Sequence, residues 1–361
     1  MRTSIPTLRT LRILTSSLAR PSTRPIYLTQ LPLPALFRKM SSSNLPSAQT
    51  TPGTTLLRQP VTLACVQLPS TTTKSTNLSH AATAVESAVQ STKAKIVVLP
   101  ECFNSPYGTD HFPSYAEPLP TDPANPSPEL NPSFLALQTI ARDNKVYLIG
   151  GSIPELVVPS PADDPSSKRY YNTSLIFGPE GQLLATHRKV HLFDIDIPGK
   201  IKFTESDILS PGNKLTIIDL PEYGKIAVAI CYDIRFPELA TIAARKGCFA
   251  LIYPGAFNLT TGPLHWKLLG QARAVDNQLY VALCSPARDM TEGVYHAYGH
   301  SLIVDPMAQV LDEAGEGEQV VSALLDGQKI EEARKGIPLR DQRRFDVYPD
   351  VSEGRVSYEE P

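Results

Sequence analysis

Residues 225–240 read KIAVAICYDIRFPELA. Within them, Ile226-Ala227-Val228-Ala229-Ile230 is a short, wholly apolar run with recurring β-branched residues, which suits a buried strand better than so short a helix. Cys231 follows directly. Beyond Asp233, Pro237 precedes the helically spaced Leu239, Ile242 and Ala243, so a helix is expected to start with proline in its first turn. A cysteine at a strand-to-helix junction lies outside the carboxyl end of the strand, where ligands of α/β sheets gather. Backbone N–H groups at the helix start are expected to favour its thiolate. A small buried hydrophobe is the competing reading of Cys231, and only partners elsewhere in the chain can decide.

Outward from this stretch, strands and helices alternate. Residues 61–68 read as a strand, and Leu78, Ala81, Ala82, Val85 and Val89 repeat at helical spacing. Ile96 to Leu99 supplies a second strand, closing a β-α-β unit that runs into Pro100-Glu101. The proline-dense stretch 118–132 is expected to be a surface loop, followed by a helix over 134–142 and a strand over 146–149. Residues 154–168 are expected to form a mobile insert. A hairpin is predicted over 174–187, turning at Gly178-Pro179-Glu180-Gly181 and ending in Arg188-Lys189. A loop over 193–210 follows it. After the central stretch come a strand over 248–253, a helix over 266–277, a strand over 279–284, a hairpin over 301–311 and a last strand over 320–325. Such a mixture predicts mixed sheets covered by helices, an α/β fold in one domain whose size is accommodated if two sheets stack.

Composition narrows the function classes. The 361 residues carry a formal charge of -2, which gives no basic field for nucleic acid. No run approaches the ~18 consecutive apolar residues of a membrane span. Five cysteines, at 65, 102, 231, 248 and 284, include no C-x-x-C pair and are expected to be reduced thiols. The histidines do not join them at zinc-ligand spacings, so no metal is expected. Residues 1–59 lack any Asp or Glu while holding eight Lys and Arg, with abundant Ser, Thr and Pro. This composition is that of a mitochondrial transit peptide, and Met40 offers a second start that gives a cytosolic form. The folded domain is expected over 60–348, with a tail at 349–361.

Glu101, Lys189 and Cys231 share one placement, each directly after a run read as a strand. Strand ends of one sheet system can converge. As chemistry the set is coherent: a thiol attacks, a carboxylate takes its proton and later activates water, and an ammonium stabilises the oxyanion. Either charged residue alone would ordinarily be a solvated strand end.

The stretches LPECFNSPYG (99–108), HRKVHLFDIDIPGKIKFTES (187–206) and ICYDIRFPELA (230–240) resemble the three catalytic blocks of the nitrilase superfamily. YPGAFNLTTGPLHWKLLGQARAVDNQ (253–278) resembles its shared helix block. The resemblance is closest to the omega-amidase branch, which hydrolyses 2-oxoglutaramate and 2-oxosuccinamate. It implies a four-layer α-β-β-α sandwich, two stacked mixed sheets flanked by helices, that dimerises through helices and uses neither cofactor nor metal. It also implies Glu101 as general base, Lys189 as general acid and oxyanion donor, Cys231 as nucleophile, and Glu205 as the residue orienting the lysine. The backbone N–H of Tyr232 would complete the oxyanion hole.

For the substrate carboxylate, Arg235 is the best-placed cation, since arginine grips carboxylates in a planar fork. Arg288 is the second, and an ion pair of Arg235 with Asp233 or Glu238 is the structural alternative. Tyr107, Phe257 and Thr261 fall in the branch-typical blocks and are expected to line the pocket or support it. His296 and His300 could instead suggest a Cys-His hydrolase, although they sit in no motif of that class. A deaminated-glutathione amidase would use the same triad with a longer pocket, and a catalytically silent binding protein could use the same scaffold.

Overall fold

Strand periodicity sorts the side chains onto two faces. In β1 (Val61–Gln67), Leu63 and Cys65 enter one apolar cluster while Ala64 and Val66 enter another. The same alternation holds in β2 (Ile96–Val98), with Ile96 and Val98 facing one way and Val97 the other, as a period of two requires. The computed structural model describes residues 55–158 and 168–348, all within the unit Thr50–Pro361. The expected leader, apart from its last residues 55–59, and the C-terminal tail lie outside the described residues.

The chain continues from β2 through α2 (Phe112–Tyr115), α3 (Pro132–Asn144), β3 (Tyr147–Ile149), β4 (Ile153–Val157), β5 (Arg169–Phe177) and β6 (Leu183–Arg188), α1 being Lys74–Thr92. A ribbon of β7 (Asp194–Ile197) and β8 (Ile201–Thr204) precedes β9 (Thr216–Leu220) and β10 (Gly224–Val228). Then come α4 (Pro237–Arg245), β11 (Cys248–Pro254), α5 (Gly262–Asn277), β12 (Tyr280–Cys284), β13 (Leu302–Val304), β14 (Val310–Glu313), β15 (Gln319–Leu325) and α6 (Gly327–Gly336). One sheet has the order β15-β1-β2-β3-β5-β4, with β6 on the other edge of β5. The second has the order β14-β13-β12-β11-β10-β9. Both are mixed: β1-β2-β3 and β10-β11-β12 pair in parallel, and the flanking pairs are antiparallel.

Three apolar clusters define four layers. Leu63, Ile96 and Val98 meet Ile226, Val228, Ile252 and Ala282 between the sheets. Ala81 and Val85 of α1 with Leu137 and Ile140 of α3 cover the outside of the first sheet. Ala240 and Ala243 of α4 with Trp266 and Ala274 of α5 cover the outside of the second. Each fully buried Ile, Leu or Val contributes ~1.5–3 kcal/mol relative to exposure. This is the expected α-β-β-α sandwich, and all five cysteines in it are free thiols.

Three expectations need correction. The insert expected at 154–168 begins with ordered strand: β4 pairs with β5, and Glu155 within it is buried against Arg188; residues 159–167 lie outside the described residues. The loop expected over 193–210 contains the β7-β8 ribbon, whose alternation of Ile195 and Ile197 with Ile201 and Phe203 about Pro198-Gly199 is a hairpin pattern. Strand β9 and helix α6 were not anticipated. Asp219, exposed within β9, and the polar sequence of α6 conceal how deeply Ile218 and Ile330 are buried.

Candidate active site

Sequence places Glu101 just beyond β2, Lys189 just beyond β6 and Cys231 just beyond β10, and the fold brings these strand ends together. Lys189 Nζ lies 3.1 Å from Glu101 Oε1 and 2.9 Å from Glu205 Oε1. The Cys231 thiol is within hydrogen-bonding reach of Glu101. All four side chains are buried.

Local structure fixes each one. Behind Glu101, Gly151 adopts φ +58°, and a Cβ there would stand 2.0 Å from the Pro100 carbonyl oxygen; only glycine lets β3-β4 pass so close. Glu101 Oε1 also accepts from Asn172 Nδ2 at 2.8 Å, and Oε2 from the Ala256 N–H at 2.8 Å. Lys189 is held through its backbone, its N–H donating to Asn172 O at 2.9 Å and its carbonyl accepting from Gly212 N at 2.8 Å. Glu205 opens a short 3-10 turn after β8 and accepts from Tyr107 OH at 2.8 Å and Phe193 N at 2.7 Å. Cys231 begins a 3-10 turn, Cys231–Arg235, at φ +46°, a left-handed conformation costing on the order of 1–3 kcal/mol outside glycine. Gly255 packs behind it, where a Cβ would lie 3.0 Å from Cys231 Cα.

Burial governs the charges. Burial pushes the Glu101 carboxyl above its ordinary range despite the pull of Lys189. Burial alone would lower Lys189, but Glu101 and Glu205 reverse this and hold it well above the usual lysine value, hence charged. Burial and the Glu101 charge push the Cys231 thiol well up. The expected preference for thiolate at the helix start is therefore outweighed, although Lys189 and the Ala256 N–H oppose the rise. Burial thus favours a thiol beside the Glu101 carboxyl.

The expected substrate residues divide. Arg235 forms no ion pair with Asp233 or Glu238; its guanidinium meets His265 Nδ1 at 3.2 Å and lies over Phe257, 4.8 Å from the ring centroid. Its Nε is buried without a hydrogen-bond partner, and burial lowers its pKa, with Cys231 near enough to act on it electrostatically. Tyr107 stacks with Phe203 and packs tilted against Tyr295. Thr261 turns its hydroxyl to Asn258 Oδ1 at 3.3 Å, in loop support. Arg288 is committed elsewhere, to the Ala297 and Tyr298 carbonyls and to Glu316. His296 bonds the Asp289 carbonyl and His300 faces Glu313 while stacking on Tyr298; neither partners the thiol.

Sequence reasoning missed Asn172, the Ala256 N–H and Tyr295, whose hydroxyl donates to Ala256 O at 2.6 Å. Only Asn172 left a trace: Asn172-Thr173-Ser174 is a polar run inside a strand that is otherwise apolar and aromatic, and all three residues are buried.

A buried thiol, carboxylate and ammonium thus meet where strand ends of the two sheets converge. Residues 62–335 match the model of the carbon-nitrogen hydrolase family, and the chain belongs to that family; it is a hydrolase of amide carbon-nitrogen bonds. It is 54% identical to the omega-amidase NIT3 of Saccharomyces cerevisiae over 299 residues, covering 82% of this chain and 98% of that protein. It is 52% identical to the omega-amidase NIT2-A of Xenopus laevis over 286 residues, covering 79% and 96%. The crystal structure of Saccharomyces cerevisiae Nit3, a member of branch 10 of the nitrilase superfamily, superposes with a TM-score of 0.71 at 50% identity, covering 81% of this chain and 99% of that one.

Proposed function

We propose that this hydrolase is an omega-amidase, releasing ammonia from the terminal amide of 2-oxoglutaramate and 2-oxosuccinamate. Beside the likeness to the NIT2 and NIT3 proteins, the observation that carries this reading is Arg235. Its half-buried guanidinium, with Nε buried and without a hydrogen-bond partner, lies near Cys231 and without a carboxylate partner among the described residues, a socket for the far carboxylate of a short oxo-acid amide.

The cycle follows from the geometry. Glu101 accepts the Cys231 proton as the sulfur bonds to the amide carbon. Lys189 Nζ and the Tyr232 N–H, at the start of a turn where backbone donors lack partners inside it, receive the oxyanion. Collapse breaks the C–N bond, the nitrogen takes up the proton that Glu101 removed from the thiol, relayed through Lys189, and leaves as ammonia; the Glu101 carboxylate is restored and a thioester remains. Glu101 then deprotonates water, which attacks the thioester carbon; the C–S bond breaks and the thiol is restored. Glu205, bonded to Lys189, holds the ammonium in place. No step calls for a metal or cofactor.

Release of the 2-oxo dicarboxylate, measured on 2-oxoglutaramate, 2-oxosuccinamate and deaminated glutathione, tests the assignment. Preference for the two oxo-acid amides is expected. Preference for deaminated glutathione would make the chain the corresponding longer-pocket amidase, and turnover of none, with Cys231 unprotected from thiol reagents by any of them, would leave a binding protein on the same scaffold.

The homodimer belongs to this reading. On α5, Leu264 and Leu268 are each 60% exposed, with Val275 further along the helix and Ile242 on α4 also exposed. A helical stripe of this kind suits burial against a second copy. Light scattering should give twice the chain mass, and L264E with L268E should give the monomer. Among the described residues no helix is long and apolar enough to cross a membrane. The basic leader directs a mitochondrial form and Met40 a cytosolic one; a full-length fluorescent fusion that never enters mitochondria would exclude the first.

A further inference from the structure

Asp233 is fully buried, two residues beyond Cys231, and touches neither Lys189 nor Glu101 in any recorded bond. Its Oδ1 accepts from the His191 backbone N–H at 2.9 Å and from His191 Nδ1 at 2.8 Å. Its Oδ2 accepts from the Ile230 backbone N–H at 2.9 Å and from His187 Nε2 at 3.3 Å. These donors bracket the active residues: Ile230 immediately precedes Cys231, and His187 and His191 stand two residues either side of Lys189.

We propose that Asp233 is a positioning residue, a carboxylate clamp that ties the Cys231 turn to the Lys189 segment and so sets the sulfur against the amine and its carboxylates. It rests on Cys231 being the nucleophile. Nothing else on the Cys231 turn makes so many bonds across to that segment, and the turn needs restraint because Cys231 sits in a left-handed conformation. Towards the carboxylate, His191 presents an N–H at Nδ1 and His187 one at Nε2, and His187 Nδ1 pairs with the Thr216 hydroxyl at 3.0 Å. His191 is also stacked flat on Phe236, 3.6 Å between centroids, at the far end of the same turn.

Chemistry makes a carboxylate obligatory at this position. Each oxygen of Asp233 faces one backbone N–H and one ring N–H. An asparagine has one accepting oxygen, so either orientation of its amide turns an NH2 towards a backbone N–H that cannot change its role. One side of the clamp must then open. Displacement of about 1 Å between reacting groups costs on the order of 100-fold in rate, so the loss falls on kcat.

The test compares Asp233→Asn, His191→Asn and His191→Leu in the full chain. Asparagine at 191 offers an amide N–H near the position of Nδ1, whereas leucine offers none; both lose the stack on Phe236. Expected is a folded D233N enzyme with kcat lowered about 100-fold and KM within about threefold of wild type. Iodoacetamide labelling of Cys231 should slow in parallel, with all five thiols still titrating in denaturant. H191N should keep at least about a third of kcat and H191L should lose about tenfold more than H191N. A folded D233N enzyme with kcat within threefold of wild type would overturn the proposal. Should D233N not fold, equal kcat for H191N and H191L would do the same. Wild-type turnover by C231A would instead remove the nucleophile assignment, whatever the clamp variants show.

Discussion

The Arg235 guanidinium lies over the Phe257 ring, 4.8 Å from its centroid. The aromatic face holds a planar cation that burial has stripped of water on one side. A substrate carboxylate would meet a fork whose Nη1 contacts His265 Nδ1 at 3.2 Å and whose Nε has no hydrogen-bond partner. Arg235→Lys keeps the charge but not the fork, and a charge-assisted pair is worth about 1.5–3 kcal/mol. KM for 2-oxoglutaramate should therefore rise about 10- to 100-fold, while an uncharged amide of similar length changes little. Steady-state kinetics on the two substrates decide this; equal rises would assign Arg235 to scaffold support.

The acid limb of the rate carries the signature of Glu101. As a base it works only when deprotonated, and burial raises its pKa. The protonated, inactive form thus persists to higher pH than for a free glutamate, near 4.3. The kcat/KM profile should fall with decreasing pH through a value above that reference. A profile flat down to pH 4, under conditions where the protein stays folded, would contradict Glu101 as the base.

Gly151 connects fold and site in one residue. A Cβ at this position meets the Pro100 oxygen and φ is +58°, so Gly151→Ala should destabilise by ~1–3 kcal/mol. Because Pro100 carries Glu101, kcat should fall as well. Urea unfolding and ammonia release measure the two effects, and a variant unchanged in both would show that the close approach carries no constraint.

Much of the fold was legible because it is written in periodicity. Ile226 to Ile230, Ile96 to Leu99 and Leu279 to Cys284 declare buried strands by composition alone, and Glu101 and Cys231 stand out as reactive groups just after two of them, as Lys189 does after the predicted hairpin. What escaped depends on contacts distant in sequence. Asn172 reaches Glu101 across 71 residues and the Ala256 N–H reaches it across 155, and no local pattern encodes either. Asp233 stood out beside Arg235 as a plausible ion-pair partner, yet its bonds run to His187, His191 and Ile230. The ribbon of β7 and β8 was obscured by Asp194, Asp196 and Lys202, exposed charges that disguise alternating Ile and Phe. The thiol was misjudged for a physical reason: a turn's N–H groups are local, whereas burial and the Glu101 charge that outweigh them are tertiary.

The central claim is that a covalent bond to Cys231 carries the reaction, and the Cys231→Ala enzyme tests it most directly. Its ammonia release from 2-oxoglutaramate should drop at least about 10⁴-fold, for loss of a nucleophile removes the pathway rather than slowing it, while cooperative thermal unfolding shows the fold retained. A folded alanine variant that releases ammonia at the wild-type rate would contradict the account.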